Sequence, residues 1–154
     1  MDFTRKTFPA QPYLYVDREV DYDGPKIAEA MGSAFGEVFG FIGQNAITPL
    51  AMPMSVYLVM DHSRLRFRGG VLVSAEDAAR ASGNVMADSL PAGDAMCTTH
   101  VGPYANLNQT HQALWNHMKE QSIEAAMPVW EIYADDPQEV AEDKLRTDIF
   151  RAIA

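Results

Sequence analysis

A single order of elements occurs twice along this chain, and that recurrence leaves few folds open. Each time a strand-like segment leads to a Gly-Pro pair, an amphipathic helical segment, a proline-led strand with a central tyrosine, and a further strand. Gly24-Pro25 opens the first helical segment and Gly102-Pro103 the second, while Tyr57 and Tyr133 take similar places in the strands that follow. The halves, about 11–74 and 94–153, share pattern rather than letters. Two strand-helix-strand-strand units with pseudo-twofold symmetry predict an α+β fold, with one antiparallel sheet packed by two long helices around a central cleft. Ligand sites favour such seams.

Hydrophobic spacing places the elements. Residues 13–20 alternate weakly and predict the first strand. In residues 26–43, Ile27, Met31, Phe35, Val38, Phe39 and Ile42 form one helical stripe. Beside it run Ala28, Gly32, Gly36 and Gly40, and each mid-helix glycine costs about 1 kcal/mol against alanine. Such a smooth face serves either close packing of another backbone or the lining of a ligand site. Residues 55–60 predict a strand, and 64–74 another, with a bend or bulge at Gly69-Gly70. Arg64, Arg66 and Arg68 share a face, read as solvated. Residues 75–93 are a connector with one helical turn near 75–81. A strand at 95–101 precedes the second helix, 104–121, whose stripe is Tyr104, Leu107, His111, Leu114, Trp115 and Met118. Trp115 and Phe35 are assigned to the core. The chain ends on a strand at 144–153.

At 154 residues the chain suits one domain, 1–154, able to bury a real core. Its 12 basic against 21 acidic side chains give a net charge of −9, which argues against nucleic acid as a partner and serves either plain solubility or the approach of a cationic ligand. The lone Cys97 excludes an internal disulfide. With no secretory leader and no apolar run of the ~20 residues that span a bilayer, a cytoplasmic protein without a membrane partner is expected. Neither a metal site nor a cofactor is expected: Cys97 and His100 point to opposite strand faces, and no nucleotide or phosphate loop occurs.

The chemistry concentrates in Pro128-Val129-Trp130-Glu131-Ile132-Tyr133, read as a strand opened by its proline. Alternation puts Val129, Glu131 and Tyr133 on one face, and Trp130 and Ile132 on the other. A carboxylate buried on such a strand is costly unless something binds it. Glu131 is therefore either a site residue or an edge glutamate paired with Arg146 or Arg151. His111 is either a hydrogen-bonded core histidine or a pocket-lining acid or base.

Gly102-Pro103-Tyr104, the helical segment through Trp115, Val129-Trp130-Glu131-Ile132-Tyr133 with Asp136-Pro137, and Leu145-Arg146-Thr147-Asp148-Ile149 stand in a characteristic order. Residues 94–153 so arranged resemble the GyrI-like family, the effector-binding domain also found behind AraC- and MerR-type DNA-binding modules. The resemblance implies a duplicated fold with a central cavity, here in a stand-alone member without its own DNA-binding module. It also implies that Glu131 is the acidic residue that receives apolar, cationic compounds. Tyr133, Tyr57, Tyr104, His111, Phe39 and Trp130 are the ligand-contacting candidates around it. Two alternatives follow from the same family. One is a hydrolase of strained or activated electrophiles, with Glu131 activating water and Tyr133 assisting. The other is a gyrase-inhibitor-like interaction module; a separate regulator is a candidate protein partner.

Overall fold

Among the described residues eight strands form one sheet: β1 (Thr4–Phe8), β2 (Gln11–Val20), β3 (Met54–Tyr57), β4 (Leu65–Leu72), β5 (Met86–Leu90), β6 (Gly93–Val101), β7 (Ala125–Tyr133) and β8 (Arg146–Ile153). The helices α1 (Gly24–Gln44), α2 (Ala75–Ala78) and α3 (Leu107–Glu120) make the architecture α+β. The computed structural model describes residues 1–59 and 63–154, so Met60, at the end of the expected 55–60 strand, lies outside the described residues. The sheet order is β1-β6-β8-β7-β3-β4-β2-β5, and every pairing is antiparallel. Strands β2, β4 and β3 come from the first half and β6, β8 and β7 from the second; the halves meet where β3 pairs with β7. Helix α1 lies on β2 and β4, and α3 on β6, so the two flank the central pair. Among the described residues no helix is long and apolar enough to cross a membrane.

The sheet is rolled. Only Pro9-Ala10 separates β1 from β2, and only Pro91-Ala92 separates β5 from β6, yet each pair spans opposite ends of the strand order. The two ends must therefore curl toward each other. On the inner face Tyr13, Tyr15, Met54, Val56, Leu90, Cys97 and Trp130 share one apolar cluster, joined by Phe8 and Phe150. On the outer face α1 covers a second cluster that includes Leu14, Val16, Tyr57, Val71 and Val129, and α3 covers a third, of Met96, Leu114, Met118 and Ile149.

Local chemistry explains the element ends. The Asp23 carboxylate accepts from the Lys26 N–H, and Pro25 occupies the first turn of α1, where its missing N–H is no loss. The second Gly-Pro pair works differently: Gly102 has φ +126°, a backbone state suited to glycine, and a 3-10 turn (Tyr104–Asn106) precedes α3.

Several expectations change. The row Gly32, Gly36 and Gly40 faces outward with open space where a Cβ would stand, so it serves no close packing. The close approach is made from the sheet instead: a Cβ on Gly69 would stand 2.7 Å from Ala34 Cβ, and one on Gly70 only 2.1 Å from the Leu14 carbonyl oxygen. Gly69 and Gly70 pair in unbroken register with Val16 and Tyr15, so no bulge forms there. The irregularity falls in β7, between Ala125 and Val129, and Pro128 sits within the strand rather than at its start. Strands β1 and β5 were not expected; both are mostly exposed and polar, with no alternation to reveal them.

Candidate functional site

The β3–β7 register sets Ser55 opposite Glu131 and Tyr57 opposite Val129. Directly opposed residues share a face, so Ser55, Tyr57, Glu131 and Tyr133 stand together on the side that carries the helices. Glu131 is 3% exposed, Tyr57 and Tyr133 each 8%. The expected open hollow is thus a closed seam in this structure, with the carboxylate packed beneath side chains of both helices.

From α1, the Phe35 ring meets Tyr133 edge-on at 5.8 Å, and Met31 Sδ lies 3.8 Å from the Tyr133 hydroxyl. From the turn before α3, Tyr104 also meets Tyr133 edge-on, at 5.6 Å. The His111 Nε2 of α3 stands 3.5 Å from Glu131 Oε1, while Oε2 is buried without a hydrogen-bond partner. Tyr133 donates to Ser55 Oγ at 3.0 Å. Burial, then the neighbouring Glu131 charge, holds the Tyr57 and Tyr133 hydroxyls well above the usual phenol range. Both therefore stay protonated at neutral pH and present O–H groups beside an acceptor. Tyr104, half-exposed, and His111, partly exposed, form the rim.

The structure brings together Glu131, Tyr57, Tyr133, Tyr104 and His111. Phe39 packs into the apolar cluster beneath α1. Trp130 is placed on the opposite sheet face, stacked on Phe150 with centroids 5.2 Å apart and edged by Phe8 at 6.2 Å. The alternation that lifts Glu131 toward the helices turns Trp130 inward, so the two are not brought together. Glu131 does not pair with Arg146, which holds Asp135 at 2.9 Å, nor with Arg151; it meets the His111 imidazole instead.

Trp115 is a second correction: it is 41% exposed, not core, with Lys119 Nζ at 4.4 Å and the Arg151 guanidinium at 5.5 Å from its ring. The stripe of α3 is centred instead on Thr110, Leu114 and Met118. Sequence reading weighed His100 only as a metal ligand and passed over Thr110; both are buried, and His100 Nε2 donates to the Pro103 carbonyl at 3.0 Å while Nδ1 meets Thr110 Oγ1 at 2.6 Å. This pair ties the turn at Gly102 to α3, and the separation of 10 residues along the chain gave it no local signature. Arg68 also departs from the solvated reading. It stacks over Tyr15 at 4.1 Å, donates to Tyr13 Oη and pairs with Asp88 at 2.6 Å. A concavity of about 490 Å³ opens there, between Arg68, Asp17, Val56 and Leu58, away from Glu131. Among the described residues no cluster of three or more His, Cys, Asp or Glu is placed to hold a metal ion.

Comparison with known proteins gives a consistent fold. The family model described as the GyrI-like small molecule binding domain matches residues 1–154. The EcmrR C-terminal domain superposes with a TM-score of 0.80 at 16% identity, over 99% of this chain and 97% of that one. SAV2435, solved bound to tetraphenylphosphonium, gives 0.67 at 12% identity, over 100% and 94%. A protein of Listeria innocua described as a hydrolase gives 0.64 at 17% identity, over 99% and 91%. By sequence, comparison with curated proteins returns no match.

Proposed function

Because the chain belongs to the GyrI-like family of small-molecule-binding domains, we propose that it binds a small lipophilic compound, aromatic or cationic, at Glu131 in the seam between α1 and α3. The whole chain acts as one domain, and its two halves are strand-helix-strand-strand repeats related by a pseudo-twofold axis near the β3–β7 pair. The observation that carries the reading is the buried Glu131 carboxylate with Oε2 unbonded among Tyr57, Tyr104 and Tyr133. The carboxylate has His111 at 3.5 Å from Oε1 and the Tyr57 hydroxyl beside it, yet its buried Oε2 is left for a partner from outside. A lipophilic cation supplies the countercharge without needing hydrogen bonds, and the rings add cation–π attraction of about 0.5–2 kcal/mol. SAV2435, of the same fold, was solved with such a cation.

Entry requires the rim to part, with Tyr104 and His111 swinging from the carboxylate while α1 and α3 separate. Glu131, Tyr133, Tyr57, Tyr104 and His111 then contact the ligand. The protein would serve as a sensor or sequestering protein, alone or beside a separate regulator. Titration with tetraphenylphosphonium tests this. Affinity should fall at least about tenfold in Glu131→Gln, as expected for loss of a desolvated charge pair; equal affinity in both proteins removes Glu131 from the site.

A second reading rests on the 3.5 Å contact between His111 Nε2 and Glu131 Oε1. A carboxylate beside an imidazole can take a proton from water, and the Tyr133 O–H can stabilise a developing oxyanion. The substrate would be a strained or activated electrophile, as the Listeria innocua hydrolase of this fold invites. Turnover that disappears in Glu131→Gln while binding persists would favour it; no product from epoxide or activated-ester panels would reject it.

A further inference from the structure

Among the described residues three buried side-chain polar atoms lack a hydrogen-bond partner: Glu131 Oε2, Thr147 Oγ1 and Arg151 Nε. They are not scattered. In the β7–β8 register Tyr133 opposes Thr147, Glu131 opposes Ile149 and Val129 opposes Arg151. Opposed residues share a face, so all three unsatisfied atoms rise on the helix side of two adjacent strands. Buried polar atoms are nearly always bonded, and three exceptions in one patch mark polar surface held for something outside the chain.

Helix α3 follows the same polarity. His111 sits against Glu131; one turn on, Trp115 stands 5.5 Å from the Arg151 guanidinium, and a turn further Lys119 reaches the same ring at 4.4 Å. Among the described residues no carboxylate stands beside Arg151, and burial alone acts on it, lowering its pKa. The seam therefore has a negative end at Glu131 and a positive end at Arg151 and Lys119. The partly exposed Trp115 ring stands at the positive end. Diagonal neighbours on paired strands stand roughly 7–8 Å apart, which sets the scale between the two charges.

We infer that the ligand is zwitterionic: an aromatic body whose cationic group meets Glu131 and whose carboxylate or other anionic group meets Arg151 beside Trp115. This rests on the Glu131 seam being the binding site and narrows its ligand class from lipophilic cations to dipolar ones. A lone cation would leave the buried Arg151 Nε without a partner, whereas a zwitterion satisfies both ends.

Rhodamine B and its ethyl ester provide the test, since they share one cation and only the first carries a free carboxylate. Fluorescence anisotropy should show rhodamine B binding about tenfold more tightly, the scale of one charge-assisted hydrogen bond. Arg151→Met should erase that preference and leave ester affinity in place, and Arg151→Lys should keep part of it. Glu131→Gln should weaken both dyes. Circular dichroism confirms that each variant is folded. If both dyes bind in a Glu131-dependent way with equal affinity, or if Arg151→Met leaves the preference intact, the zwitterion inference falls while the site stands. If neither dye binds, the site reading fails and takes this inference with it.

Discussion

Replacing Glu131 with methionine should stabilise the ligand-free protein while abolishing cation binding. Methionine matches glutamate in length and lacks branching, so it can fill the same space between Tyr57 and Tyr133 without overpacking. The change removes a buried oxygen that has no hydrogen-bond partner, and such an orphan costs about 1–3 kcal/mol. Against this stands the lost contact with His111, at 3.5 Å and with the imidazole 24% exposed. A partly solvated pair of this kind contributes about 0.2–1 kcal/mol. The net is a gain of about 0–3 kcal/mol, which in a domain of this size raises Tm by up to roughly 10 °C. Thermal unfolding followed by circular dichroism at neutral pH measures it. Tetraphenylphosphonium should then reverse the order, because a ligand at 100 times its Kd adds about 2.7 kcal/mol to the protein that binds it and nothing to the other. A Tm for Glu131→Met that drops by more than about 2 °C would refute the reasoning. It would mean that the carboxylate is already satisfied by its own protein and is not held in readiness for a partner.

Three further outcomes are expected. Gly70→Ala should destabilise severely, by about 3 kcal/mol or more, because its Cβ would stand 2.1 Å from the Leu14 carbonyl oxygen; Gly36→Ala, facing open space, should instead stabilise α1 by about 0.5–1 kcal/mol in urea unfolding. Tyr57 and Tyr133 have folded-state pKa values raised above the unfolded phenol value, so their contribution is complete below about pH 10 and is lost as pH climbs through the folded values. Absorbance at alkaline pH should show both ionising only with unfolding, whereas Tyr57→Phe should shift the alkaline midpoint upward. Ligand entering the seam should change the fluorescence of Trp115 but not of the inward-facing Trp130, so Trp115→Phe should remove the signal without loss of affinity beyond about threefold.

How far the sequence reached depends on which physics wrote each element. Helix α1 was readable because Ile27, Val38 and Ile42 repeat at helical spacing and Gly24-Pro25 marks the start. The orientation of Glu131 followed from simple alternation along β7, and so did the separation of Trp130 from it. Strands β1 and β5 carry no such signal: their order comes from pairing with β6 and β2, contributed by residues far along the chain. Trp115 shows the limit of a stripe. Its place beside His111 and Leu114 reads as core, yet the buried line of α3 is rotated toward Thr110 and Met118. The glycines mislead for a related reason. Spacing drew attention to the helical row, but space is tight only at Gly69 and Gly70, where the helix and the neighbouring strand press on β4.

The proline-alanine links give the sheet a mechanical property. With its far ends tied by two such short tethers, it behaves as a hoop and cannot flatten. Helices α1 and α3 ride on its outside, one on each arc. Any change in the hoop's curvature must therefore alter the gap between them. The rings packed within, Trp130 on Phe150 with Phe8 alongside, act as a spacer of fixed bore. Trimming that spacer would retune how wide the mouth above Glu131 can open, from the side of the sheet opposite the carboxylate.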